Sequence, residues 1–159
     1  TAMTAVNNDA PEAMDLLMKV VDNYSGTTEA QEALITVANS YLRDGNYDAA
    51  EEHYKMFIDK YDSDPILVFN AYNALGSIYE EQGDHGKAAG IYDQYLQKNK
   101  TSVFAPTMYL NLGKTLYFAG KYDEARSTLT ELTDTFKDSN ERQEASYFLG
   151  LIDVRENVN

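Results

Sequence analysis

Small residues recur in this chain on a fixed ruler. Ala38, Gly76, Gly113 and Gly150 stand 38, 37 and 37 residues apart, and Ala13, Ala50, Ala88 and Ala125 stand 37, 38 and 37 apart. Two independent ladders with one period define a repeated supersecondary unit, which buries its apolar face only by stacking on its neighbours. The stretches "VANSYLRDGNYDAA" at 37–50, "LGSIYEEQGDHGKA" at 75–88 and "LGKTLYFAGKYDEA" at 112–125 align without a gap.

Apolar residues around the ladders follow helical spacing. Leu34, Val37 and Tyr41, then Tyr72, Leu75 and Tyr79, then Tyr109, Leu112 and Leu116 step by three or four and predict the buried stripe of a first helix. Gly45, Gly83 and Gly120 are placed to close that helix with positive φ, and Asn46 and Asp84 follow as N-caps of a second helix. The second stripe reads Ala50, Tyr54, Phe57, Tyr61; then Ala88, Tyr92, Tyr95; then Ala125, Leu129, Leu132, Phe136. Gly76 and Gly113 on first helices and Ala88 and Ala125 on second helices predict close approach of two antiparallel helices. No strand pattern competes. Before the full repeats, Ala13, Leu17, Val20 and Tyr24 reproduce a second helix alone; after them, "EASYFLGLIDV" reproduces a first helix alone.

The order apolar, x2, Leu, Gly, x2, Tyr, followed by Gly-Asp/Asn/Lys-Tyr and Ala-x3-Tyr, resembles the tetratricopeptide repeat over residues 11 to 152. The resemblance implies an all-α fold, a right-handed α-solenoid of antiparallel helix pairs. The expected organisation is a disordered leader, "TAMTAVNNDA" at 1–10, followed by a single domain over 11–157: a half-repeat 11–30, repeats 31–68, 69–105 and 106–142, and a half-repeat 143–157. Two features depart from the family. The period exceeds the usual 34, with Asp62, Lys100 and Lys137 where a proline usually ends the repeat, and Phe57, Tyr95 and Leu132 replace a common alanine. Pro65 and Pro106 come later, the latter suited to the first turn of a helix.

Long repeats of this texture, with "VVDNYSGTTEAQEALITVANSYLRDGNYDAAEEHYKMFI" carrying most of the likeness, resemble tetratricopeptide proteins of the bacterial envelope. Among these are the YfgM-like ancillary subunits of the Sec translocon and, less closely, the outer-membrane assembly lipoprotein BamD. That resemblance implies a membrane anchor outside this sequence and a periplasmic domain on the outer face of the inner membrane, with a cytoplasmic location as the alternative. A start at Thr1 rather than methionine fits a chain processed or excised from something longer.

Charge and composition narrow the partners. A net charge of −13, with 26 acidic against 13 basic residues and no basic cluster, repels phosphate backbones and argues against nucleic acid. A hydrophobic content of 43% supports a core, and the absence of cysteine removes disulfide and thiolate–metal readings.

No residue pattern carries catalysis or a cofactor. His53 in "AAEEHYKMF" lacks the spacing that would put two metal ligands on one helical face, and His85 in "GDHGK" sits in a turn where other repeats have tyrosine, which favours packing. "DSDP" at 62–65 lacks the glycine and glutamate of a calcium loop, and "GDHGKAAG" lacks the ending of a phosphate-binding loop. The sequons at Asn23 and Asn99 are three-letter matches of the kind that arise by chance. No catalytic, metal or cofactor residue is assigned.

The family resemblance assigns groove-facing roles to the second, fifth, ninth, twelfth and thirteenth positions of each repeat. These are Glu32, Ile35, Asn39, Leu42 and Arg43; Asn70, Asn73, Ser77, Glu80 and Glu81; Thr107, Leu110, Lys114, Tyr117 and Phe118. Tyr117 and Phe118 fall outside the buried stripe. They read either as binding aromatics or as packing beneath the terminal helix with Tyr147 and Leu151. Of the five-residue clamp with which some family members grip the carboxylate tails of heat-shock chaperones, only Asn39 matches: Ile35, Ala74, Thr107 and Asn111 replace two lysines, an asparagine and an arginine. The expected function is a non-catalytic scaffold that holds a segment of another protein. The alternative is self-assembly through apolar edges at Leu149, Leu151 and Ile152.

Overall fold

The computed structural model describes residues 11–158. Among these are eight α-helices: α1 (Pro11–Asn23), α2 (Thr28–Arg43), α3 (Tyr47–Lys60), α4 (Pro65–Glu81), α5 (His85–Asn99), α6 (Ala105–Phe118), α7 (Tyr122–Thr135) and α8 (Glu141–Val158). The described residues contain no strand. The leader expected at 1–10 lies outside them.

The helix ends follow from local chemistry. Gly45, Gly83 and Gly120 take φ of 74°, 76° and 77°, the left-handed region in which a Cβ is disfavoured, and they end α2, α4 and α6. Asn46 accepts from the Ala49 amide at 3.3 Å and Asp84 from the Lys87 amide at 3.0 Å, so both cap the helix that follows. Lys121, in the same place before α7, makes no side-chain cap. Thr27 caps α2 through the Ala30 amide at 3.2 Å. Asp64 of the acidic "DSDP" accepts from the amides of Ile66 and Leu67 at 2.9 and 3.0 Å, so that carboxylate serves as a helix cap with a proline just inside it. Pro106 likewise occupies the first turn of α6.

The chain groups into two compact units whose boundary falls between Leu75 and Gly76, within α4. In the first unit α2 packs on both α1 and α3. Leu17, Leu34, Tyr54 and Phe57 are among its most deeply buried side chains. The α1 stripe is Ala13, Leu17 and Val21 rather than one ending at Val20 and Tyr24: the helix stops at Asn23, and Tyr24 beyond it is 61% exposed.

In the second unit α6 packs on α5, α7 and α8, and α8 also packs on α7. The core includes Tyr92, Tyr95, Met108, Leu129, Leu132 and Ile152. Here the glycine ladder acquires a cause. A Cβ on Gly76 would stand 2.2 Å from Cε1 of Tyr92, and one on Gly113 would stand 2.4 Å from Cδ2 of Leu129. Each glycine therefore seats a large side chain sixteen residues later on the partner helix, and the fully buried Ala38 and Tyr54 have the same separation. Gly150 breaks the series, because a Cβ there would meet nothing within 4 Å. The apolar edge expected at Leu149, Leu151 and Ile152 is corrected as well. Ala145, Phe148 and Ile152 form the inward stripe of α8, with Ile152 fully buried, while Leu149 and Leu151 are half-buried.

Candidate functional site

The first-helix faces of the two units carry the residues expected to bind. In the first unit Glu32, Asn39 and Arg43 of α2 are exposed, as is Asn70 of α4, while Leu42 and Asn73 are half-buried. Ile35 is only 5% exposed and belongs to the core, since its side chain lies on the stripe shared with Leu34 and Ala38. Tyr54 from α3 donates its hydroxyl to Oδ1 of Asn39 at 2.5 Å. That bond engages the amide oxygen, and the amide nitrogen of such a side chain carries two donors. Burial pushes the Tyr54 phenol up to about 12. Arg43 donates to Ser40 Oγ at 3.1 Å and lies 3.7 Å from Asp44.

In the second unit the sequence-based expectations divide. Glu80 has both oxygens engaged internally: Thr115 Oγ1 donates to Oε1, and the Tyr92 hydroxyl donates to Oε2 at 3.2 Å. Burial first, and then the charge of Glu80, raise the Tyr92 phenol, with a bond from Ser77 acting in opposition. Ser77 and Glu80 thus belong to a polar layer that joins α4, α5 and α6. Leu110 is 6% exposed and lies in the core. Thr107 donates to Glu141 at 2.7 Å, and Lys114 pairs with Glu144 at 2.6 Å while its ammonium stands 5.8 Å from the Phe148 ring centroid. The cation expected on this face is therefore already neutralised by α8.

The two members of the aromatic pair differ in burial. Tyr117 is half-buried, edge-on to Phe148 and Tyr122 at 5.3 and 5.5 Å between centroids, so it packs against α8 and α7. Phe118 is 60% exposed, 6.0 Å from Phe148 and stacked 6.3 Å from His85. His85 is thereby a packing residue. His53 lies against Tyr41 at 5.1 Å, with Nδ1 2.7 Å from the Ala49 carbonyl oxygen.

Beside Phe118 the structure adds residues that the sequence reading did not assign. Tyr147 and Val154 of α8 are 62% and 63% exposed, with Leu151 half-buried between them along the helix. Counted from Gly150, these are the fifth, ninth and twelfth positions of the repeat frame, so the signal was present in the terminal half-repeat. Phe118 and Tyr147 both lie against the Phe148 ring, at 6.0 and 5.6 Å between centroids, and Leu151 and Val154 follow Tyr147 at helical spacing along α8; the cations here are occupied, Lys114 by Glu144 and Arg155 over the Tyr122 ring at 4.7 Å. Among the described residues no cluster of histidine, aspartate and glutamate could hold a metal ion, and no helix is long and apolar enough to cross a membrane.

Comparison with known proteins agrees with this architecture. Sequence profiles described as tetratricopeptide repeat match residues 35–102 and 79–146, which together span most of the chain. The Arabidopsis thaliana protein FLUORESCENT IN BLUE LIGHT, chloroplastic, is 28% identical over 107 residues, covering 64% of this chain; the chain spans only about a third, 34%, of that relative. PcrH from Pseudomonas aeruginosa superposes with a TM-score of 0.64 at 14% identity, covering 79% of this chain and 93% of that one. The first tetratricopeptide domain of Spaghetti (RPAP3), solved with the HSP90 peptide SRMEEVD, superposes with a TM-score of 0.63 at 18% identity, covering 82% and 96%. At these identities the structural likeness concerns the fold. The curated relative is a plant chloroplast protein, so the bacterial envelope setting rests on sequence texture alone.

Proposed function

Because the chain belongs to the tetratricopeptide repeat family, we propose that it is a non-catalytic scaffold that holds a segment of another protein against its first-helix faces. Family members are generally interaction modules, and the RPAP3 domain was solved with a peptide. The observation that carries the reading here is the exposure of Phe118, Tyr147 and Val154, three large apolar side chains each about three-fifths exposed on one unit, the first two against the same Phe148 ring. Exposed apolar clusters of this kind mark interaction sites, and aromatic residues are enriched in interface cores.

The chemistry selects the ligand class. Neither Lys114 nor Arg155 offers an unengaged cation, and the clamp for acidic tails is absent from the sequence, so an apolar or mixed segment fits better than an acidic tail. Asn39 in the first unit supplies amide donors suited to a backbone carbonyl. The test is capture of partners from the source organism by immobilised wild type and by the double variant Phe118→Ala/Tyr147→Ala. Both side chains are mostly solvated, so the variant is expected to stay folded, which circular dichroism checks, and to lose the main captured protein. Equal capture by a folded double variant would overturn the assignment.

A further inference from the structure

Sharing no residue with these first-helix side chains, a cleft of about 490 Å³ opens between the second helices α5 and α7. Leu112 and Leu116 of α6 line it, each retaining slight exposure at 7% and 5%. One helix wall is low at two positions: Gly86 and Gly90 stand where α3 has Asp48 and Glu52 and where α7 has Asp123 and Ser127. Gly90 has no positive φ, and a Cβ added to it would meet nothing within 4 Å. Neither a turn nor close packing within this chain requires it, although glycine in a helix interior costs about 1 kcal/mol relative to alanine.

The rim has a definite charge pattern. Lys121 is held by Glu124 at 3.2 Å. Asp93 accepts only from the Gln97 amide at 3.1 Å and has no cation at ion-pair distance among the described residues. Its charge is felt at Tyr109, whose phenol is raised first by burial, then by Glu131, and also by Asp93. An apolar floor beneath one uncompensated carboxylate fits an apolar group that carries a cation beside it.

We propose that this second-helix cleft is a separate docking site for a polypeptide segment presenting an aromatic or large aliphatic side chain next to a lysine or arginine. The side chain fills the space left open by Gly86 and Gly90 over Leu112 and Leu116, and the basic group pairs with Asp93. This goes beyond the first-helix reading and does not depend on it.

Methyl NMR of Leu112 and Leu116 tests the site, using N-acetyl-phenylalanyl-lysine amide as the probe and its phenylalanyl-glutamate and glycyl-lysine counterparts as controls. The lysine-bearing aromatic probe is expected to shift both leucines, with apparent affinity about fivefold above that of the glutamate probe, the size of one exposed charge pair. Gly90→Met closes the cleft with a good helix former and should abolish the shifts without lowering thermal stability. Asp93→Asn should remove the preference for the lysine probe while leaving the fold intact. Tyr147→Ala, on α8 and against Phe148, should leave every shift in place, which separates failure here from failure of the first-helix reading. Unmoved leucine methyls at the solubility limit of the probe, equal shifts from the glutamate probe, or shifts unchanged in a folded Gly90→Met protein would each overturn the proposal.

Discussion

At the scale of single residues, the glycines divide by what surrounds them. Gly113 is pressed by Leu129, whereas Gly150 faces open space on an otherwise equivalent helix. Gly113→Ala is therefore expected to cost about 1–3 kcal/mol through overpacking, and Gly150→Ala to be neutral or to stabilise by up to about 1 kcal/mol, both read from urea unfolding. The ladder was visible in the sequence as four equal members, but contact separates them, and spacing alone does not report a missing partner. Buried phenols set the second expectation. The folded-state value of Tyr54, about 12, lies above the ordinary 10. Its share of stability is therefore whole below pH about 10 and is lost as pH rises toward 12, because the unfolded chain gives up the proton first. Urea midpoints measured across that range should fall, and Tyr54→Phe should make the fall shallower.

At the scale of helices, the ends were the most legible feature. Gly45 and Gly83 followed by Asn46 and Asp84 announce a stop and a start within two residues, and the structure uses both pairs in that way. The third junction keeps the glycine but places Lys121 at the cap, where it makes no side-chain bond to the backbone. Lys121→Asn should then stabilise by about 1 kcal/mol and Asp84→Ala should destabilise by a similar amount, measured as shifts in unfolding free energy. The Lys121–Glu124 pair lost in the first variant is exposed on both sides and contributes little. What the helical pattern hid was which polar residues turn inward. Glu80 reads as a groove acid from its position, yet Thr115 and Tyr92 meet it from helices that approach only in three dimensions. Asp64 reads as part of an acidic run until its two amide partners show it to be a cap.

At the scale of the whole molecule, repetition made the fold readable, because each repeat states the same packing problem and gives the same solution with Tyr54, Tyr92 or Leu129. The proposed binding face was only partly readable. Family positions named Asn39 and Phe118, which are exposed, but also Ile35 and Leu110, whose burial depends on how neighbouring helices close over them. The same positions, continued into α8, would have added Tyr147, Leu151 and Val154. A net charge of −13 favours solubility in a chain that exposes Phe118, Tyr147 and Val154. The most direct measurement is site-specific photocrosslinking in the source cell, with a benzophenone amino acid at position 118 or 147 and, as a control, at the exposed position 98 of α5. Positions 118 and 147 should yield the same discrete protein adduct and position 98 should not; adducts absent from both 118 and 147, or identical at all three, would contradict a protein-binding first-helix face.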